Sequence, residues 1–206
     1  MAKDGKRRTL TSLIAGLLGL IGLGKVAPGN GNAARARLAR TTAATATPVA
    51  TTVVGSEWDL PVERNARVEY WIDFLRTEKR DETRQWLERL GYYGPMIQAK
   101  LAERGMPRDL VFLAMAESGL DPRAYSAADA SGVWQFIAET ARRYGLEVSD
   151  YVDERNDPVK STDAALDYLQ DLHDQFGSWY LAAAAYNTGE NRVARVLDER
   201  AGGARG

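Results

Sequence analysis

Glu117 places a carboxylate where helical spacing calls for an apolar side chain. In the segment 108–119, Leu110, Leu113, Ala114 and Glu117 fall on one face. That is the i, i+3, i+4, i+7 stripe that normally packs into a core. Gly119 and Pro122 stop the helix just beyond it. The acid therefore sits at a helix C-terminus, where negative charge is disfavoured. Desolvation on an apolar face pushes its pKa the same way. A carboxylic acid still protonated near neutrality suits general-acid chemistry, the gift of a proton to a leaving group. From this helix alone, the residue also reads as a rim glutamate reaching water past Leu113.

Several polar residues could complete such a site. Ser126 follows Glu117 by nine residues and Gln135 by eighteen. Gln135 stands between Trp134 and Phe136, so its amide could offer two donors and an acceptor to a cleft. Trp134 reads as a core residue or as an aromatic platform on which a ligand could stack. A serine in a turn more often bonds its own backbone, which is the plain reading of Ser126. Tyr186 and Asn187 end a small-residue helix, and the alanines before them would let it approach a neighbour closely. The run 187–189 also suits a helix cap. Asp121 and Asp129 are candidates for a second carboxylate, but both read better as turn or cap residues. The single histidine, His173, lies beside Asp171 and Asp174 and reads as a surface residue, with no co-ligands for a metal site. With no cysteine, disulfides, thiolate metal sites and a lipid-modified N-terminal cysteine are all excluded.

Three segments in order carry a resemblance. Glu117, Ser118 and Pro122 match an E-S-x-x-x-P motif. Gly132, Trp134, Gln135 and Phe136 match G-L-W-Q-F with Val133 at the leucine. Ala185, Tyr186, Asn187 and Gly189 match A-Y-N-x-G. The pattern resembles the lytic transglycosylase branch of the goose-type lysozyme superfamily, the SLT domain. The runs 144–146 and 153–158 look most like its membrane-bound lytic murein transglycosylase D group. The resemblance implies a mainly α, lysozyme-like domain with at most a small β excursion. It implies a peptidoglycan lytic transglycosylase, acting on glycan strands without metal or organic cofactor. Glu117 would protonate the bond between N-acetylmuramic acid and N-acetylglucosamine. It would then act as base on the muramoyl C6 hydroxyl, leaving a 1,6-anhydro product. Ser126, Gln135, Tyr186 and Asn187 would hold the sugar. In this family a further tyrosine motif follows A-Y-N-x-G, yet no tyrosine follows Tyr186. The expectation is a domain lacking its C-terminal part, with one wall of the cleft missing. A goose-type muramidase, using water, and a non-catalytic glycan-binding module remain as alternatives.

The elements that must position these residues read almost wholly as helices. Apolar stripes and caps predict helices over 62–77, 82–90, 95–104, 108–118, 134–144, 158–176, 179–187 and 190–200, with a hairpin-like excursion between Asp121 and Gly132. Gly91 and Pro95 read as a boundary between the second and third of these. Ser178 reads as the cap of the helix that ends at Asn187.

Upstream, residues 1–57 hold eight Lys or Arg and two Asp or Glu, while the remainder holds nineteen and twenty-six. An acidic domain without a basic stripe argues against nucleic acid as a ligand. Lys3, Lys6, Arg7 and Arg8 precede an uncharged stretch from Leu10 to Gly24, rich in Leu, Ile and Gly. It is short for a membrane span and suits a signal segment over 1–25, with a short anchor as the alternative. Residues 26–57 are rich in Ala and Thr without an apolar face and read as a flexible linker. The SLT-type domain would occupy 58–206, in an exported monomer of the periplasm or cell envelope, with a possible membrane tether through the N-terminal segment.

Overall fold

The computed structural model describes residues 58–62 and 65–203, so the signal and linker expectations lie outside the described residues. Within them the chain forms seven α-helices: α1 Ala66–Thr77, α2 Arg80–Glu103, α3 Val111–Ser118, α4 Ala138–Arg143, α5 Pro158–Phe176, α6 Trp179–Thr188 and α7 Glu190–Gly203. One-turn 3-10 helices, Arg108–Leu110 and Glu154–Asn156, lead into α3 and α5. Among the described residues there is no β-strand. Isolated bridges join Tyr125 to Ser131, Ser131 to Phe136 and Val148 to Asp153, the first two making up the small β excursion.

α5 is the central element, packed against α6 and α2. Its entry is written locally: Asp157 accepts hydrogen bonds from the backbone of Val159 and Lys160, and Pro158 occupies the first turn. Ala165, Leu166, Leu169 and Leu172 are buried along it. Ala182, Ala184 and Ala185 of α6 are buried too, and their small side chains permit a close α5–α6 approach. Ser178 does precede α6, but its side chain makes no capping hydrogen bond.

Three expected helices take a different form. The boundary at Gly91 and Pro95 is absent, because α2 runs through both. Gly94, which precedes the proline, has no Cβ to clash with the pyrrolidine ring, so it can stay helical. Beyond Pro95, Ile97 and Leu101 are fully buried. Burying two such side chains contributes roughly 3–6 kcal/mol, against about 3 kcal/mol for an internal proline. Packing wins over the local break. Conversely, the helix expected over 134–144 begins only at Ala138. Residues 132–135 form a turn in which Gln135 has φ +51°, and Phe136 pairs with Ser131 in an isolated bridge. Trp134 is fully buried, its indole N–H donating to Thr162 Oγ1 at 2.9 Å, which makes it a core residue and not a sugar platform. His173 is half-buried, stacked on Trp179 with ring centroids 4.0 Å apart.

Candidate active site

The last turns of α3 and α6 meet, and each delivers a motif residue. Glu117 is 7% exposed in the final turn of α3. From the end of α6, Asn187 Nδ2 donates to Glu117 Oε1 at 3.0 Å. Burial pushes the Glu117 carboxyl up to about 6, and the Asn187 hydrogen bond pulls against it. The rim reading therefore gives way to a desolvated acid. Tyr186, one residue earlier, donates its hydroxyl to Trp134 O at 2.8 Å. Its ring meets Trp134, Phe136 and Tyr168 at centroid distances of 6.3, 6.2 and 5.2 Å. Burial first, then the neighbouring Glu117 carboxylate, push the Tyr186 phenol well up, so it stays neutral.

The segment 119–136 wraps the acid, and its backbone is held in unusual conformations. Gly119 caps α3 in the left-handed region at φ +65°, and an added Cβ would lie 2.3 Å from the Trp86 ring. The described non-glycine residues with positive φ are Leu120, Asp129 and Gln135, and all fall in this segment. Tertiary contacts hold them there. Ser118 Oγ, in the E-S pair, donates to Val133 O at 2.7 Å and ties the end of α3 to the Trp134 turn. Arg155, 6% exposed, is the main clamp. It donates to Asp129 O at 2.7 Å and Phe136 O at 3.1 Å. Asp153 holds it as a two-point fork at 2.8 and 2.7 Å. Ser131 Oγ bonds Asn156 Oδ1 at 2.8 Å, so the turn before α5 fastens the loop at a further point.

Glu117, Ser126, Gln135, Tyr186 and Asn187 all line one cavity of about 760 Å³. Their parts differ from simple sugar ligands. Ser126 Oγ accepts from the backbone of Ala128 and Ala130 at 3.2 and 3.1 Å, so it shapes its own turn at the cavity edge. Gln135 Nε2 donates to the carbonyls of Ala124 and Gly132 at 3.2 and 2.9 Å. Two carbonyl neighbours fix the amide's orientation and leave its oxygen, an acceptor, as the group free for a ligand. Asp121 is outside the cavity lining and pairs with Arg89 at 2.9 Å. Asp129, also outside it, accepts the Tyr125 hydroxyl at 2.7 Å.

The lining also includes Tyr168 and Glu190, which sequence reasoning did not single out. Tyr168 belongs to the core stripe of α5, and nothing in that stripe says that its hydroxyl reaches Glu190 Oε2 at 3.0 Å. Glu190 directly follows the A-Y-N-T-G run, and that adjacency was the available signal. Its own backbone N–H, then the Tyr168 hydroxyl and Arg143, hold its carboxyl below the usual range against some desolvation. The cavity thus holds one acid pushed up and one kept down. The lower one is already engaged by Tyr168 and Arg143.

The transglycosylase SLT domain family model matches residues 94–205. Membrane-bound lytic murein transglycosylase D of Escherichia coli (strain K12) is 46% identical over 102 residues, 49% of this chain and 23% of that protein. Peptidoglycan transglycosylase gp16 of Escherichia phage T7 is 36% identical over 104 residues, 49% of this chain and 8% of its own length. Membrane-bound lytic murein transglycosylase C of Haemophilus ducreyi is 28% identical over 120 residues, 52% of this chain and 33% of that protein. The chain spans less than a quarter of the length of the Escherichia coli relative.

Proposed function

The chain belongs to the transglycosylase SLT domain family, and from that membership and its buried acid we propose that it is a peptidoglycan lytic transglycosylase. The observation that carries the reading is Glu117, a carboxyl raised to about 6 by burial inside a cavity large enough for sugar rings. Protonated Glu117 gives its proton to the oxygen linking N-acetylmuramic acid to N-acetylglucosamine, and the C1–O bond breaks. The substrate's acetamido group supports the electron-poor C1. Glu117, now a carboxylate, takes the proton of the muramoyl C6 hydroxyl, and that oxygen closes on C1. The acid is restored, no water is consumed, and the product carries a 1,6-anhydro ring. Asn187 steadies the ionised stage, and the Gln135 oxygen accepts from a sugar hydroxyl or amide N–H. Hydrolysis through a second carboxylate is disfavoured because Glu190 is already taken up by Tyr168 and Arg143.

The same reading covers the rest of the chain's biology. The basic start and the uncharged stretch after it support export to the periplasm or cell envelope, as signal or tether. Among the described residues no helix is long and apolar enough to cross a membrane. We take the SLT-type domain to begin near residue 58 and to work as a monomer. Digestion of purified sacculi followed by mass spectrometry tests the activity. Transglycosylation yields muramoyl ends lighter by one water and inert to borohydride. Reducing ends would instead mark a muramidase, and retention on sacculi without release would mark a binding module.

Two further outcomes follow from the geometry. Because the reactive form carries the proton, kcat/KM should be level below about pH 6 and fall about tenfold per pH unit above it. A level profile to pH 8 would be inconsistent with Glu117 as the acid. Asn187→Ala removes a donor that favours the ionised form, so Glu117 should titrate higher and the falling limb should move to higher pH. The loss of transition-state stabilisation should be about 1–3 kcal/mol. Carboxyl-carbon NMR and the kinetic pH profile measure the two effects separately.

A further inference from the structure

A second cavity, of about 360 Å³, lies against the cleft and shares Tyr168 and Glu190 with it as a common wall. Arg143, Tyr144, Asp171, Leu172 and Gln175 line the rest of it on the α4 and α5 side. The Arg143 guanidinium rests over two rings, 5.1 Å from the centroid of Tyr144 and 5.3 Å from that of Tyr168. One of its N–H groups reaches Glu190 at 3.5 Å, and its side chain is 53% exposed. Most of its five donors therefore remain open, on a cation whose plane two aromatic faces hold in place. On the other side of Tyr144, whose hydroxyl donates to it at 2.9 Å, stands the carboxylate of Asp171. The cavity therefore presents a solvent-exposed cation and a solvent-exposed anion beside a cleft read as a glycan site.

The glycan backbone gives those charges nothing to pair with, since its groups are hydroxyls, ethers and acetamides. Charge in peptidoglycan resides on the peptide that branches from the muramoyl residue, which carries both carboxylate and ammonium groups. A strand lying in the cleft must send that branch off its axis, and a cavity behind a shared wall is where a branch can go. We infer that the side cavity receives the peptide of a muramoyl residue, with Arg143 taking a peptide carboxylate and Asp171 a peptide ammonium. This makes Arg143 a specificity residue of the reaction proposed above, and the inference rests on that reading.

The test compares peptide-bearing strands with strands stripped of peptide by an amidase, using wild type, Arg143→Ala and Arg143→Lys. Wild type should prefer peptide-bearing strands. Arg143→Ala should lower kcat/KM on them about tenfold more than on stripped strands, chiefly through KM, as expected for a lost charge-assisted hydrogen bond. Arg143→Lys, which keeps the charge without the fork, should recover part of the preference. A thermal scan establishes that both variants fold. An equal fall on both substrates would assign Arg143 to holding Glu190 and Tyr168 and overturn the inference, as would an unchanged preference. Stripped strands cleaved normally by wild type without any peptide preference would overturn the inference while leaving the transglycosylase reading intact. Cleavage of neither substrate would overturn both.

Discussion

Glu117→Gln should abolish strand cleavage while making the fold more stable above about pH 6. The amide keeps the shape of the side chain and can still accept from Asn187, but it has no transferable proton. A positioned proton-transfer group contributes about 10²–10⁴ in rate, so turnover should fall by at least that factor. The stability effect has a defined sign. In the folded protein the carboxyl is raised from an ordinary 4.5 to about 6, so the native state holds the proton more tightly than the unfolded chain does. Wild-type stability therefore loses about 2 kcal/mol from this residue as pH climbs from about 4.5 through about 6, and the loss persists above. The glutamine variant lacks that loss. Urea unfolding at about pH 4 and about pH 7.5 should show the difference between variant and wild type opening only at the higher pH. A variant that clears sacculi like wild type would remove Glu117 from the chemistry.

Gly132→Ala should disable the site by unfolding its wall. Gly132 has φ +82°, and a Cβ there would sit 1.8 Å from the backbone carbonyl oxygen of Arg155. That oxygen belongs to the turn that fastens the loop, so it cannot swing aside as a side-chain tip would. We expect a loss of about 3–5 kcal/mol in global stability, or a loop displaced far enough to lose activity without unfolding. Gly91→Ala is the matched control. Nothing lies within 4 Å of its added Cβ, and it sits inside α2. Relief of helix-interior glycine should stabilise by about 0.5–1 kcal/mol. If both substitutions behaved alike, the close approach of Gly132 to Arg155 would not be a constraint on this fold.

These two positions also mark what the sequence could and could not convey. Glu117 was legible because a carboxylate on an apolar stripe contradicts the pattern around it, and Asn187 because motif order pointed to it. Helix entries with local causes, such as Asp157 and Pro158, were legible as well. Features made by distant contacts were not. Pro95 reads locally as a break, but the burial of Ile97 and Leu101 carries α2 through it. The run from Trp134 read as the start of a helix carrying Phe136, Ile137 and Tyr144, yet Ser118, Arg155 and the indole bond to Thr162 hold its first residues in a turn. Arg155 stood in the run 153–158, quoted only for its resemblance, and nothing in that run said that its side chain would clamp the loop. Tyr168 was hidden in a core stripe, because spacing reports which face a residue takes and not where its hydroxyl ends. Gln135 was placed at the cavity, but which of its atoms would remain for a ligand depended on two carbonyls that only the fold brings near.

The most direct test of the single-acid mechanism is to digest sacculi in water enriched in heavy oxygen and weigh the new muramoyl ends. If Glu117 protonates the leaving oxygen, then takes the C6 hydroxyl proton as that oxygen closes on C1, the ends are 1,6-anhydro and carry no solvent oxygen. Heavy oxygen incorporated at C1 in the majority of ends would show water as the nucleophile and contradict the account.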